Sequence, residues 1–416
     1  MKNVLFISYF YPPIGGCGPI RTLKFNKYLS EYGWQPIVLT VRNRDRFYTQ
    51  RGYDIIPDGI QVYRSLNVLN NLSVIDGIFK RLNITKQFMV PDIYIGWIPM
   101  AILNSLRIIK NNKIDIIYTS AESDMLVALV LKRITGIPFV VDFRDAWTLN
   151  PYKGKYLLPS LKWLDESFEG SVLSSADHIL TTTEGTKEDY IQKYPYVESK
   201  ISCMFSGFDV DDIPISIDKF DKFTIIYTGF FYGVQMPNNL FSALKKIIND
   251  KYIPEEKIQF LWVGPNNSVI HNLIKEYGIS DIVNYMGLKS KGEADALIYK
   301  SHLLYYLLGY TEKVSQFHVI PAKIFPYLAS GISLLAETSV GDSERMIREY
   351  SDNSYIITDG DDIKIMNSII KAYKEWELGK VNYKLSEKTL KFRNDFDFRN
   401  ITGDLSKIFD DIIKKY

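Results

Sequence analysis

Short runs of β-branched and aromatic residues alternate with segments of helical period along almost the whole chain. Such alternation marks parallel sheets assembled from right-handed βαβ units. In the first half the apolar runs predict strands at Val4–Ser8, Pro36–Val41, Ile114–Thr119, Phe139–Phe143, His178–Thr183 and Ile201–Phe205. A second series predicts strands at Thr224–Tyr227, Gln259–Val263, Val283–Met286, Leu303–Leu308, Ser333–Glu337 and Tyr355–Thr358. Between the two series, Gly207–Lys222 is rich in Asp, holds Pro214 and shows no sustained period, which reads as a linker. The expected architecture is therefore α/β, with Rossmann-like parallel-sheet domains at 1–206 and 223–395 facing a cleft beside the linker at 207–222. Residues 396–416 carry Ile401, Leu405, Ile408, Phe409 and Ile412 at helical spacing, so a C-terminal amphipathic helix is expected to pack back on the first domain.

A length of 416 residues fits two such domains, and the near balance of 50 basic against 48 acidic residues gives no field that would draw nucleic acid. The two cysteines, Cys17 and Cys203, make no metal or disulfide framework and fit a reducing cytoplasm. Val4–Ile7 is too short for a secretory signal, and Ile95–Leu103 has about half the roughly 20 residues of a spanning helix. The expectation is a cytoplasmic protein, soluble or peripheral. One region departs from neutrality: within 61–113, Arg64, Lys80, Arg81, Lys86, Arg107, Lys110 and Lys113 oppose only Asp76 and Asp92. Ile75, Ile78, Phe79, Phe88, Tyr94 and Trp97 are interspersed, as in a surface that docks on anionic lipid or in an amphipathic insertion packed on its own domain.

Three segments carry candidate chemistry. The first strand runs into YFYPPIGGCG, where Gly15, Gly16 and Gly18 precede a helix from about Pro19 with Arg21 in its first turn. Glycines and a helix start suit an anion, or equally a mobile turn; neither the dinucleotide nor the Walker pattern is matched. The second segment, PFVVDFRDAWTLNP, brings Asp142, Arg144 and Asp145 to a strand end. Those charges suit binding an anionic group, orienting an acceptor hydroxyl and removing its proton, or a structural ion pair; Trp147 reads as packing more than as a stacking platform. In the third segment, HVIPAKIFPYLASG, Lys323 lies in the first turn of a helix, within reach of a diphosphate or simply on a surface. Gly229 and Gly233 in YTGFFYG and Gly264 in WVGP add loops that permit close approach. His178, His271 and His302 are scattered and supply no metal-ligand set.

Taken together, FISYFYPPIGGCGPIRTLKF, DFRDAWTLNP, SGFD at 206–209 and PAKIFPYLASG resemble family-4-like retaining glycosyltransferases of the GT-B fold, particularly those of capsule and exopolysaccharide assembly. The resemblance implies a hexose-type sugar moved from a nucleotide-sugar donor to a saccharide or lipid-linked saccharide, with retention and no obligatory metal or cofactor. It places the donor on the second domain and the acceptor on the first, with Gly15 and Gly16 meeting the diphosphate. The family's strand-end histidine falls on Arg144, and its two donor-contacting glutamates fall on His318 and Pro326. Its diphosphate-neutralising cations fall near Phe230 and Gln235, which leaves Arg21 and Lys323 for that role. The expected catalytic set is Asp142, Arg144, Asp145 and Lys323, and the expected donor set is Gly15, Gly16, Arg21, Gly229, Gln235, Gly264, His318 and Lys323. A non-catalytic nucleotide-sugar-binding partner of an active transferase, and a nucleotide-sugar epimerase on the same fold, are the alternatives.

Overall fold

The computed structural model describes residues 1–14, 18–42, 56–69, 89–150, 158–214, 218–233, 235–309, 318–381 and 385–416. Their contacts group them into two units: Met1–Ser206 with Phe398–Tyr416, and Gly207–Asp397.

The apolar runs of the first unit become β1 (Lys2–Ile7), β2 (Trp34–Val41), β4 (Ile116–Thr119), β5 (Phe139–Phe143), β6 (His178–Thr181) and β7 (Ile201–Cys203). An additional strand, β3 (Gln61–Ser65), completes a parallel seven-stranded sheet in the order β3-β2-β1-β4-β5-β6-β7. The sequence gives no hint of β3 because it is an edge strand with Gln61, Tyr63 and Arg64 exposed, so it lacks the apolar run of its neighbours. Val4 faces Pro36 on one side and Ile116 on the other. A proline inside β2 is tolerated because β3 pairs only from Ile37 onward, so one edge of β2 is still open at Pro36. Alternate residues point to opposite faces: Leu5, Ile7, Ile37, Leu39 and Val141 join one apolar cluster, and Val4, Phe6, Val38, Tyr118 and Val140 join another. Helices α1 (Ile20–Tyr28), α2 (Ile98–Asn111), α3 (Glu122–Thr135), α4 (Pro159–Ser175) and α5 (Glu184–Lys193) supply cover.

The second unit holds β8 (Phe223–Thr228), β9 (Ile258–Val263), β10 (Val283–Gly287), β11 (Leu303–Gly309), β12 (Ser333–Thr338) and β13 (Ser354–Ile357). They form a parallel six-stranded sheet in the order β10-β9-β8-β11-β12-β13. The unit's helices are α6 (Asn238–Asn249), α7 (Ser268–Tyr277), α8 (Lys291–Lys300), α9 (Ile324–Ser330), α10 (Asp342–Tyr350), α11 (Asp362–Glu377) and α12 (Glu387–Phe396). The stretch expected as a linker is in fact attached to this unit. Phe208 bridges to Asp397, Lys291 pairs with Asp212 at 2.9 Å, and Lys219 Nζ donates to the Ser301 carbonyl at 2.8 Å.

The final helix, α13, spans Phe398–Ile413 and starts two residues later than its apolar pattern implies, because Asp397 is extended and ends α12. It lies on the first unit's second face, where Phe398, Ile401, Leu405, Phe409 and Ile412 join Val4, Phe6 and Phe25. Phe409 meets Trp34 edge-on at 5.2 Å, Trp34 Nε1 donates to Asp410 at 3.1 Å, and Lys2 pairs with Asp410 at 2.7 Å. Among the described residues no helix is long and apolar enough to cross a membrane. Because Phe409 is fully buried, Phe409→Ala is expected to destabilise the first unit by about 3–5 kcal/mol, read as a lower midpoint for that unit's transition in urea.

Candidate functional site

Open α/β sheets gather ligands at the carboxyl ends of their strands, where the strand order reverses. That point lies between β1 and β4 in the first sheet and between β8 and β11 in the second.

At the first sheet, Gly15 and Gly16 lie outside the described residues. Arg21, on α1, is buried with each of its three nitrogens engaged: Nε meets Asp142 Oδ2 at 2.5 Å, Nη1 donates to the Phe205 carbonyl at 2.7 Å, and Nη2 to the Met204 carbonyl at 2.8 Å. Asp142, fully buried in β5, also accepts the Tyr118 hydroxyl, whose pKa burial and the Asp142 charge push well up. Of the readings open for Arg21 and Asp142, the ion pair is the one the structure shows directly. The two form a structural ion pair that ties α1, β5 and the end of β7 together. Arg144 and Asp145 are different. Arg144 is half-buried, with Nη1 donating to the Gly18 carbonyl at 2.7 Å and its guanidinium 5.9 Å from the Phe10 ring. The Asp145 side chain is 71% exposed, the most open charge of this segment. Trp147 is fully buried, as packing requires, with Nε1 donating to Asp165 at 2.7 Å.

Two acids at this edge escape the sequence reading. Asp124, in the first turn of α3, is fully buried and accepts the Tyr9 amide at 3.1 Å, so it joins the ends of β1 and β4; burial raises its pKa well above the carboxylate range. Asp92 takes the Ser123 amide at 2.9 Å, and burial with the nearby Glu122 charge pushes its pKa up to about 6. The only trace of Asp124 in the sequence is an acid at a helix start directly after a strand.

At the second sheet, Lys323 immediately precedes α9 and projects over the end of β8. Its Nζ donates to the Tyr227 hydroxyl at 2.7 Å and sits 4.1 Å from that ring's centroid. Among the described residues it has no carboxylate partner, and burial lowers its pKa to about 7. The glycines explain how backbone reaches this cation. Gly229 has φ +134° and a Cβ there would stand 3.1 Å from Lys323 Nζ, while a Cβ on Gly264 would stand 2.2 Å from the Gly229 carbonyl oxygen. Tyr227 stacks on Phe231 at 4.1 Å, extending an aromatic row through Trp262 to Tyr285. His318 holds Asp342 through Nδ1 at 3.1 Å, and Asp342 is also paired with Arg345. Gln235 is half-buried, and its amide closes a turn onto the Tyr232 carbonyl at 2.9 Å. Glu337, unanticipated from sequence, is buried at the end of β12, where it accepts Tyr305 OH at 2.6 Å and Asn239 Nδ2 at 2.5 Å. The second unit thus brings Lys323, Gly229 and Gly264 to one strand edge. Among the described residues no group of three or more His, Cys, Asp or Glu is placed to hold a metal ion.

Residues 21–212 match the family model described as Glycosyltransferase Family 4. The resemblance is to family 4. It covers six of the seven strands of the first sheet, leaving out β1, and ends just inside the second unit. The full chain is similar in fold to a sucrose-phosphate synthase from Thermosynechococcus elongatus, at TM-score 0.72 and 13% identity over 100% of both chains. Anabaena HepE in complex with UDP-glucose aligns at TM-score 0.65 and 12% identity, over 99% of this chain and 100% of that one. A UDP-forming α,α-trehalose-phosphate synthase from Burkholderia vietnamiensis aligns at TM-score 0.64 and 10% identity over 100% of both. At such identities the likeness is one of fold, and the fold is GT-B, with two Rossmann-like units. None of the curated proteins matches the chain in sequence.

The burial of Arg21 against Asp142 has a measurable consequence. Arg21→Ala strands an uncompensated carboxylate and is expected to destabilise the protein by about 3–5 kcal/mol, read in chemical denaturation. A normal unfolding midpoint in that variant contradicts the structural assignment.

Proposed function

We propose that the protein is a glycosyltransferase that moves a hexose-type sugar from a nucleotide-sugar donor to a saccharide or lipid-linked saccharide, with retention, in cell-surface polysaccharide assembly. The observation that carries this reading is Lys323, a half-buried lysine with no carboxylate partner among the described residues, at the switch point of a Rossmann-like sheet. Desolvating a cation without a counter-charge is costly, and a diphosphate supplies the missing charge. Gly229 and Gly264 let backbone approach the same position. The family-4 match over the first unit supports a transferase.

In this mechanism the acceptor hydroxyl attacks the anomeric carbon on the face from which the nucleoside diphosphate departs. The bond from that carbon to the phosphate oxygen breaks, and the departing phosphate takes the hydroxyl proton. No protein nucleophile is required. Lys323 stabilises the charge that grows on the leaving diphosphate, and Arg144 with Asp145 orients the acceptor. His318 and Gln235 belong to the donor side of this proposal, and no metal or other cofactor takes part. An acceptor on a membrane calls for a docking surface, for which α2 offers exposed Leu103, Arg107 and Lys110 in one stripe.

A thermal-shift screen against UDP-, GDP-, dTDP- and CMP-sugars tests the donor site, because a ligand of the folded state raises apparent stability. HepE is described in complex with UDP-glucose, so the uridine series comes first. One nucleotide series is expected to shift the midpoint, and no shift with any of them sinks the reading. Binding with no transfer to any acceptor points instead to a non-catalytic partner. Lys323→Ala is expected to abolish the shift and lower turnover by about a hundredfold. Since burial holds the Lys323 pKa near 7, the ammonium is present below that pH, and donor affinity is expected to fall as pH rises through about 7. Flotation with anionic liposomes but not neutral ones is expected of a membrane-docked protein; binding to neither contradicts the docking surface.

A further inference from the structure

The loop after β5 is held from below by one face of α4. Asp165 and Glu169 lie four residues apart and so point the same way. Asp165 accepts the Trp147 indole N–H at 2.7 Å. Glu169, fully buried, takes the next residue by both backbone and side chain. Its Oε1 accepts the Thr148 amide at 3.0 Å and the Tyr190 hydroxyl at 2.9 Å. Its Oε2 accepts the Tyr194 hydroxyl at 2.8 Å, Lys193 Nζ at 3.4 Å and the Thr148 hydroxyl. Lys193 Nζ also donates to Thr148 Oγ1 at 2.6 Å, and the Tyr190 hydroxyl accepts the Trp147 amide at 2.9 Å.

Five donors converge on one carboxylate, and two of them belong to a single loop residue. Apolar packing alone would tether such a loop, but it does not fix direction as hydrogen bonds to a charged acceptor do. What the pedestal holds still is the strand end that presents Arg144 and Asp145, with Arg144 itself tied by Thr182 Oγ1 to its carbonyl at 3.0 Å. On the transferase reading, on which this inference rests, those are the groups that meet the acceptor.

We propose that Glu169 is the positioning residue of the acceptor site: its bonds to Thr148 and, through Tyr190, to Trp147 set where Arg144 and Asp145 stand. It does not touch substrate. Its role is confined to the acceptor, since every bond it makes lies within the first unit.

The experiment compares wild type, Glu169→Ala, Glu169→Gln and Thr148→Val. Each is assayed for transfer to octyl hexosides, for nucleotide-induced thermal shift and for amide hydrogen exchange at 144–149. In Glu169→Ala, kcat/KM for the octyl hexoside is expected to fall roughly tenfold to a hundredfold. The loop amides exchange faster, while the nucleotide-induced shift keeps its wild-type size. Glu169→Gln retains an oxygen for the Thr148 amide but sets an NH2 against the Lys193 ammonium, so it recovers only part of the loss. Thr148→Val falls between them and carries the test if Glu169→Ala does not fold. Unchanged exchange and unchanged acceptor kinetics overturn the proposal, and so does an equal loss of nucleotide binding, which marks a general structural role. A wild-type protein that binds no nucleotide sugar, or transfers to none of these acceptors, overturns the transferase reading instead. The exchange data still decide whether Glu169 fixes the loop.

Discussion

Strands in a parallel sheet bury side chains on both faces, so each sheet of this protein requires helices above and below it. That requirement organises the rest. In the first unit one face is covered by helices that follow the strands in order, whereas the other depends on α1 and on α13, supplied by the far end of the chain. Phe409 and Leu405 fill a place that no residue of the first 206 occupies. The site's charged residues gather at the carboxyl edges of the strands, where Asp142, Arg144, Asp145 and Glu337 stand.

Charges at those edges follow two different physical regimes. Arg21 and Asp142 offset much of their burial with each other and with two carbonyls. Lys323 is half-buried with a phenol as its partner, and its depressed pKa reports the cost. Asp124 and Asp92 show the same cost in acids at the first sheet, where backbone amides offset it in part.

Much of the architecture was legible because parallel strands declare themselves as compact apolar runs, and the runs at Val4, Phe139, Gln259 and Leu303 each became a strand. Gln61–Ser65 is also a strand but did not declare itself, since an exposed edge strand has no second face to bury. The amphipathic spacing of Ile401, Leu405 and Phe409 correctly indicated a helix that buries one side against the first unit. The site was less legible. A charge at a strand end gives the same sequence signal whether it meets a ligand or another side chain, which is why Arg21 and Asp142 read like Arg144 and Asp145. Glu169 and Glu337 gave no signal, because their partners lie elsewhere in the chain: Thr148 and Tyr190 for one, Asn239 and Tyr305 for the other.

The placement of α13 also bears on the time order of synthesis. The ribosome delivers all seven strands of the first sheet, then all of 207–397, and only afterwards the helix that closes the first unit. At elongation rates of about 5–20 residues per second that interval is on the order of ten to forty seconds. Throughout it, Val4, Phe6, Val38 and Tyr118 face outward beside α1 without their final cover. A chain truncated anywhere before residue 398 therefore lacks the cover of one apolar face, however complete its sheet.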